Sequence, residues 1–572
     1  MAEVEIGINK MIITGPGLCV KPEELAKPLS EQELESSLRK DREAARKEGK
    51  EWHEPTKEQL NEMRTKKVAD TVGKIRKGLG VETIRLAGHS ESNATFVADA
   101  IYEFARKIMQ EKDALAKLRA EPVRTIYYAT ESNPDRSRPE LEVSLLMASS
   151  KLLDEDEKKY REIVEMFRHA KVVPVTYACV GGVVSLHEAA TRVHMSTHEA
   201  RPESAIVVSA DTAYYDSRKA PGAEATQGAA AALMWITSSP RLVAVDSRFG
   251  SYHVTLSDFT KFVDETPEVH GRFSEMAYVF TVARALESLE EELGHGKGRN
   301  ATLLNELDFF ICHVPFPKQA EYLTSFLFVH WIKNHNPKLY TDIQAREGVG
   351  NEPLGAYTHL TDLMESKFRL FNAAPGTTRH EQEIISHIEN DPEIRAYWDW
   401  LKVVRKAPEF EEFLKDLHVR DALKIPSNVG NSYSNSIFVS MASLLQHVYG
   451  VQGAQGGATG VMAGYGSGAQ AMTYIIKVMA GPESVKRDLS VLLNDNPKYQ
   501  LSADQYLELH GSQIKGDSIR LTSGEDLVEK DKRMLRSETL PQGFHVRKRN
   551  KDGTGEYVYS DGSKIVPVKI RF

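Results

Sequence analysis

Residues Val175–Val193 read VTYACVGGVVSLHEAATRV, a cysteine set between two differently patterned runs. Upstream, VVPVTYA is β-branched and alternating, as a strand would be. Downstream, GVVSLHEAATRVHMSTHEA carries its apolar residues at helical spacing. Cys179 therefore stands at a helix start, where unsatisfied N–H groups and the positive end of the dipole favour a thiolate and can hold an oxyanion. Gly181 and Gly182 leave room for another backbone or a ligand. A free cysteine is equally an ordinary buried hydrophobe, so this stretch alone leaves nucleophile and core residue both open.

The flanking pattern predicts an α/β layered fold. Working outward, SNATFVADAIYEFARKIM (from Ser92) and ELEVSLLMASSKLL (from Glu140) have helical spacing, whereas VRTIYYAT and SAIVVSAD are strands. The small-residue loop KAPGAEATQGAAAALMWI leads into another strand. The later chain repeats this arrangement. LDFFICHVPFPKQAEYLTSFLFVHWIK is strand, turn and helix; SNVGNSYSNSIFVSMASLLQHV is a turn feeding an apolar helix; GVMAGYGSGAQAMTYIIKVM is strand, glycine turn and strand. Cys179 and Asn431 then occupy corresponding places, each at the start of a central helix.

The predicted organisation is two similar halves, residues 1–250 and 251–572, each with a charged helical insertion, at about 21–77 and about 377–420. The tail FHVRKRNKDGTGEYVYS reads as a β-hairpin around Asp552-Gly553, with its basic run in a solvated turn. A net charge of −8 argues against nucleic acid or an anionic membrane as partner, and 41% hydrophobic residues suit a globular protein. The three cysteines are too few for a disulfide framework and suit a reducing compartment. With no signal-peptide pattern and no apolar run of membrane-spanning length, the expected location is cytoplasmic.

Other stretches bear on Cys179. ICHVPFPKQ places His313 at a strand end, VGNSYSNS puts Asn431 and Tyr433 at the second helix start, and GYGSG turns around Ser467. Cysteine, histidine and asparagine at matching ends of two similar halves would meet in one acyl-transfer pocket. His187, His194 and His198, seven and four residues apart, share a helical face. A pair at this spacing can bind zinc, but no carboxylate or cysteine cluster completes the site by spacing, so no metal is expected.

Together these stretches resemble the hydroxymethylglutaryl-CoA synthase family of the thiolase superfamily. ACVGG is similar to its nucleophile motif, ICHVPFPK to its histidine motif, and VGNSYSNSIFVSMASLL and GYGSGAQA to its Gly-Asn and Ser-Gly motifs. ATESNPDRSRPEL resembles the segment bearing its general base, which maps to Glu131. LSDFTKF resembles its Asp-Phe motif, at Asp258 and Phe259, and YLELHGSQIKGD its ending. Two departures stand out: Val180-Gly-Gly-Val183 replaces the family's Tyr-Gly-Gly-Thr, and the loop before Gly228 lacks Pro-Thr-Gly-Gly. These bear on the acyl pocket and substrate preference more than on the reaction class.

The resemblance implies a thiolase-like αβαβα fold and a condensation of acetyl-CoA with acetoacetyl-CoA. Cys179 would carry the acetyl group, Glu131 remove its methyl proton, and His313 polarise the ketone. Asn431 would orient the second substrate, with Ser467, Asp258, Phe259 and Tyr433 lining the site. Lys318 would meet a CoA phosphate, although by itself it reads as a surface charge. The implied partners are acyl-CoA molecules, a second copy of the chain and an acetoacetyl-CoA thiolase, with no cofactor beyond the substrates. A ketoacyl synthase, a β-branching synthase acting on carrier proteins, and a non-catalytic scaffold of the same fold are the alternatives. Cys179, Glu131 and His313 occurring together argue against a scaffold.

Overall fold

In the computed structural model the described residues are 5–132, 140–199, 201–217, 219–220, 222–261, 266–295, 302–357, 359–372, 378–493, 499–514, 525–549 and 555–571. The central mixed sheet contains β1 (Ile6–Thr14), β2 (Val123–Ala129), β3 (Lys171–Val175), β4 (Ser204–Thr212), β5 (Ala229–Ser238) and β6 (Val243–His253). It continues with β7 (Phe309–Cys312), β8 (Thr459–Gly466), β9 (Gln470–Val478) and β10 (Leu489–Val491). The strand order is β7-β8-β9-β6-β1-β5-β4-β2-β3, with β10 beside β1. Pairing is parallel at the outer edges, β2 with β3 and β4 and β7 with β8, and antiparallel where β4, β5, β1, β6, β9 and β8 meet in turn.

Helices cover this sheet in layers. The outer helices α1 (Asn93–Gln110) and α2 (Glu140–His169) bury Phe96, Phe104, Met147 and Leu152 against Ile12, Leu233 and Trp235. The next helix, α3 (Gly181–Ser196), is apolar at Val183, Leu186, Ala190 and Val193. It packs with Ile437, Phe438 and Met441 of a later helix, Ser436–Leu444, on strands from both parts of the chain. The helices α4 (Gly271–Glu292) and α5 (Pro317–His335) cover the far side through Phe273, Phe280, Phe326 and Val329. Helices, strands, inner helices, strands and helices thus alternate, which is the α/β layering the sequence predicts.

The inner helices approach so closely because Gly182 has no side chain. A Cβ there would lie 2.6 Å from Ser434 O and 2.7 Å from Phe438 Cε2. At Gly181 the nearest atom would be 3.6 Å away, an ordinary contact, so only Gly182 meets the close-approach expectation.

Some boundaries differ from the sequence expectations. The first strand, Ile6–Thr14, is buried at every position, because alternate residues face the two covered sides of the sheet. The segment at about 21–77 is helical, but it is not solvated all round: Leu25, Ala26 and Leu34 of Pro22–Lys47 are buried. The insertion at about 377–420 is amphipathic. Ile394, Tyr397, Leu401, Phe410 and Leu414 enter the core beside α5, so its charge is confined to one side. The C-terminal hairpin pairs Gly543–Arg549 with Gly555–Ser560, and its turn at Asp552-Gly553 lies outside the described residues. Among the described residues no helix is long and apolar enough to cross a membrane.

Gly182→Ala should cost about 1–3 kcal/mol through overpacking, whereas Gly181→Ala should change stability by less than about 1 kcal/mol. Urea denaturation of the two variants checks this, and an equal loss in both would contradict the docking of α3 on residues 434–438.

Candidate active site

Cys179 sits in the tight turn between β3 and α3. Ala178 before it has φ 44°, a left-handed conformation unusual for a residue with a side chain. The turn is backed by Gly466, where a Cβ would lie 3.0 Å from Val180 N. It presents the sulfur to a cavity of about 230 Å³, lined by Cys179, His313, Asn431, Tyr433, Phe259 and Ser467 among others. These residues lie far apart in the chain and meet because β7, β8 and the two inner helices end at the same place.

Glu131 is the second residue after β2, and the Cys179 thiol donates to its Oε2 at 3.3 Å. Its other oxygen, Oε1, is buried without a partner. The rest of this loop, residues 133–139, lies outside the described residues. Burial first, and then the nearby Asp211 carboxylate, push the Glu131 carboxyl up to about 8. Burial, then the charges of Glu131 and Asp211, hold the Cys179 thiol well above its ordinary value. The thiolate expected at a helix start is therefore not the resting form. Loss of water around the sulfur and neighbouring acids outweigh the helix dipole, and a base beside the sulfur has to take its proton.

His313 is fully enclosed and follows β7, whose pairing with β8 continues as His313 N donating to Ala463 O. Burial depresses its imidazole to about 3, so the ring is neutral. Ser436 Oγ lies 2.7 Å from Nδ1 and already accepts from Val314 N at 3.2 Å. In the tautomer with the ring proton on Nε2, this hydroxyl donates to Nδ1. A neutral imidazole of that tautomer is a hydrogen-bond donor. Tyr278 OH holds the backbone by donating to His313 O at 2.7 Å.

Asn431 donates through Nδ2 to Tyr215 OH and accepts at Oδ1 from Tyr433 N, the residue that turns the chain with φ 45°. The Tyr433 ring stands edge-on to both Phe259 and Tyr215. Asp258 lies behind the lining and accepts from Ser274 Oγ, Tyr465 OH and Gly468 N, so it fixes the turn that carries Ser467. Burial raises its carboxyl as well. Lys318 is on the first turn of α5, paired with Glu321 at 2.8 Å, and is not part of the cavity wall.

Asp211 was not singled out by sequence, yet it is the most connected acid of the site. Its Oδ1 accepts from Thr130 Oγ1 and from the backbone N–H groups of Glu131 and Ser132; its Oδ2 accepts from Ser434 N. The signal that could have found it is an acid closing the apolar strand SAIVVSAD, one position before an inward-facing loop. The histidines at 187, 194 and 198 do other things. His187 Nε2 is 3.0 Å from Ser247 O, and His194 and His198 meet edge to face. Among the described residues no group of three or more His, Cys, Asp or Glu could hold a metal.

Residues 402–507 match the family model described as hydroxymethylglutaryl-coenzyme A synthase C terminal. The chain is 28% identical over 407 residues to a hydroxymethylglutaryl-CoA synthase of Haloferax volcanii, covering 71% of this chain and 77% of that one. Among solved structures it resembles MvaS in complex with 3-hydroxy-3-methylglutaryl coenzyme A, with a TM-score of 0.56 at 18% identity over 98% of this chain and 100% of that one. It also resembles the curacin biosynthetic pathway HMG synthase in complex with acetyl donor-ACP, with a TM-score of 0.58 at 13% identity over 97% of this chain and 100% of that one. In sequence the chain is similar to hydroxymethylglutaryl-CoA synthases, and in architecture it shares the thiolase-like fold of the solved ones.

Proposed function

We propose that the protein joins acetyl-CoA to acetoacetyl-CoA, with water, to give 3-hydroxy-3-methylglutaryl-CoA and free CoA. The observation that carries this is the contact between the Cys179 thiol and the Glu131 carboxyl, at 3.3 Å, in a cavity that also receives a neutral His313. In the first step Glu131 takes the thiol proton as sulfur attacks the acetyl carbonyl. The carbon–sulfur bond to CoA then breaks, and the proton leaves with the CoA thiol.

Cys179 now carries acetyl, and Glu131 faces its methyl group in place of the thiol. Removal of a methyl proton by Glu131 gives an enolate, whose carbon attacks the ketone of acetoacetyl-CoA. His313 Nε2–H donates to the ketone oxygen and stabilises the alkoxide as it forms. The proton held by Glu131 neutralises that alkoxide, so the condensation balances. Water then cleaves the Cys179 thioester and releases a carboxylic acid. Asn431 orients the second thioester, and Lys318, next in sequence to the cavity-lining Gln319, offers a cation to its phosphates. On this reading the protein acts in the cytoplasm as a homodimer on the mevalonate route to isoprenoids. It draws acetoacetyl-CoA from an associated thiolase and needs no cofactor beyond its substrates.

Incubation with acetyl-CoA alone should add one acetyl group to the peptide containing Cys179, and Cys179→Ala should abolish it. Mass spectrometry reads the outcome, and acetylation at Cys19 or Cys312 instead would contradict the assignment.

The acetyl-enzyme should exchange methyl hydrogens with deuterated water. Because Glu131 must be ionised to act, and sits near 8 in the free protein, exchange should rise with pH up to about that value and then level. Glu131→Gln should slow exchange by about 10²–10⁴-fold. A rate that is flat from acid to alkaline pH, or unchanged in the variant, would assign the base elsewhere.

A further inference from the structure

One wall of the cavity is the connection between β4 and β5, which supplies Tyr215, Ala223 and Thr226. Tyr215 is held at three points by three separate residues. Its hydroxyl oxygen accepts from Asn431 Nδ2 at 3.2 Å, its backbone N–H donates to Gln227 Oε1 at 3.4 Å, and its carbonyl oxygen lies 3.0 Å from His510 Nε2. A carbonyl only accepts, so His510 bears a proton on Nε2 and donates it to this bond.

His510 belongs to the helix Ala503–Ile514, to which the condensation assigns no role. Tyr506, one turn earlier, shares its face, and the two rings stack with centroids 5.1 Å apart. Both are buried, whereas Leu507 and Glu508 between them are exposed. Tyr506 OH donates to Glu224 Oε1 at 2.5 Å and accepts from Gln227 Nε2 at 3.0 Å. His510 Nδ1 stands 3.7 Å from the same Glu224 oxygen. The donors therefore run one way, from Tyr215 N–H to Gln227, from the Gln227 amide to Tyr506, and from Tyr506 to the Glu224 carboxylate. Glu224 and Gln227 lie on the connection itself, so one helix grips it near both ends, through His510 at Tyr215 and through Tyr506 at residues 224 and 227.

What this grip holds in place is Asn431. Its backbone N–H donates to Thr226 O at 2.7 Å, and its Oδ1 is taken by Tyr433 N. That fixes Nδ2 toward Tyr215, which uses one of its two hydrogens. The other has no acceptor among the described residues. The direction of this remaining N–H depends on where the Tyr215 hydroxyl stands.

We propose that His510 and Tyr506 are positioning residues for the second substrate: by fixing Tyr215 from behind the wall, they aim the uncommitted Asn431 N–H at the acetoacetyl thioester. This rests on the reading that Asn431 orients that thioester. Cys179, Glu131 and Asp211 share no hydrogen bond with His510, Tyr506 or Tyr215 among the described residues. Acyl transfer to the cysteine is therefore independent of the grip, and only the step that needs the second substrate feels its loss.

Removing the His510 donor should separate the two stages of the reaction. In His510→Leu the KM for acetoacetyl-CoA should rise on the order of tenfold, while acetylation of Cys179 by acetyl-CoA and methyl exchange of the acetyl-enzyme keep their wild-type rates. His510→Gln, whose Nε2 can stand where the imidazole Nε2 stood, should restore the KM. Tyr506→Phe keeps the stacked ring and loses one hydroxyl, so it should fold and show the same split even where His510→Leu does not fold. An unchanged KM in Tyr506→Phe, no rescue by His510→Gln, or a fall in acetylation equal to the loss in condensation would each overturn the proposal. The grip itself is read without any chemistry, by hydrogen–deuterium exchange of the peptide containing Tyr215. Exchange there should quicken in Tyr506→Phe and stay unchanged in the peptide of α3; equal exchange in variant and wild type overturns the grip. Wild-type protein that acetylates Cys179 but never consumes acetoacetyl-CoA would sink the condensation reading and the positioning role with it, while the exchange measurement would still show whether the helix holds Tyr215.

Discussion

The carboxylate of Asp211 ties the site together. It is fully buried at the end of β4, accepts from the loop that bears Glu131, and accepts from Ser434 at the start of the opposite inner helix. One side chain thus sets the position of the base and of the segment that brings Asn431 and Tyr433. Its hydrogen bonds make it affordable as a buried acid, and without it several buried N–H and O–H groups would lack partners. Its charge also acts on its neighbours: after burial, it is the main influence raising Glu131, and it adds to the elevation of Cys179.

Burial controls the electrostatics of the whole cavity. It keeps the thiol protonated, makes Glu131 a much stronger base than a solvated carboxylate, and holds His313 neutral. Such a set suits proton removal from a weak carbon acid, which needs a base of raised pKa. It also suits charge stabilisation by a donor already turned toward the developing oxygen. Close packing at Gly182 and the left-handed residue before Cys179 keep the sulfur in this setting, and both depend on the two inner helices docking on each other.

Much of the fold was legible because the strands and inner helices are strongly patterned. SAIVVSAD and GVVSLHEAATRV show their periods plainly, and the structure places them as strand and inner helix. Of the site, ACVGG, ICHVPFPK and VGNSYSNS drew attention to Cys179, His313 and Asn431, which line one cavity. What sequence could not show depends on tertiary surroundings. The protonated state of Cys179 follows from acids at positions 131 and 211, brought near by separate strands. Asp211 closes the strand-like run SAIVVSAD, where nothing in the sequence marks it as an acceptor shared by two loops. The insertion near 377–420 was read as charged because its buried aromatic and aliphatic positions are dispersed among acids and bases.

The central claim is that one cavity joins an acetyl carbon to a ketone and returns a free acid. The most direct measurement supplies acetyl-CoA labelled with carbon-13 in its methyl group, together with unlabelled acetoacetyl-CoA, and follows the products by nuclear magnetic resonance. The account predicts that the label moves into a methylene group next to a free carboxylate in 3-hydroxy-3-methylglutaryl-CoA, with release of CoA and no carbon dioxide. Label that stays in acetyl groups with acetoacetyl-CoA unconsumed, while a malonyl thioester is decarboxylated by the same protein, would contradict it.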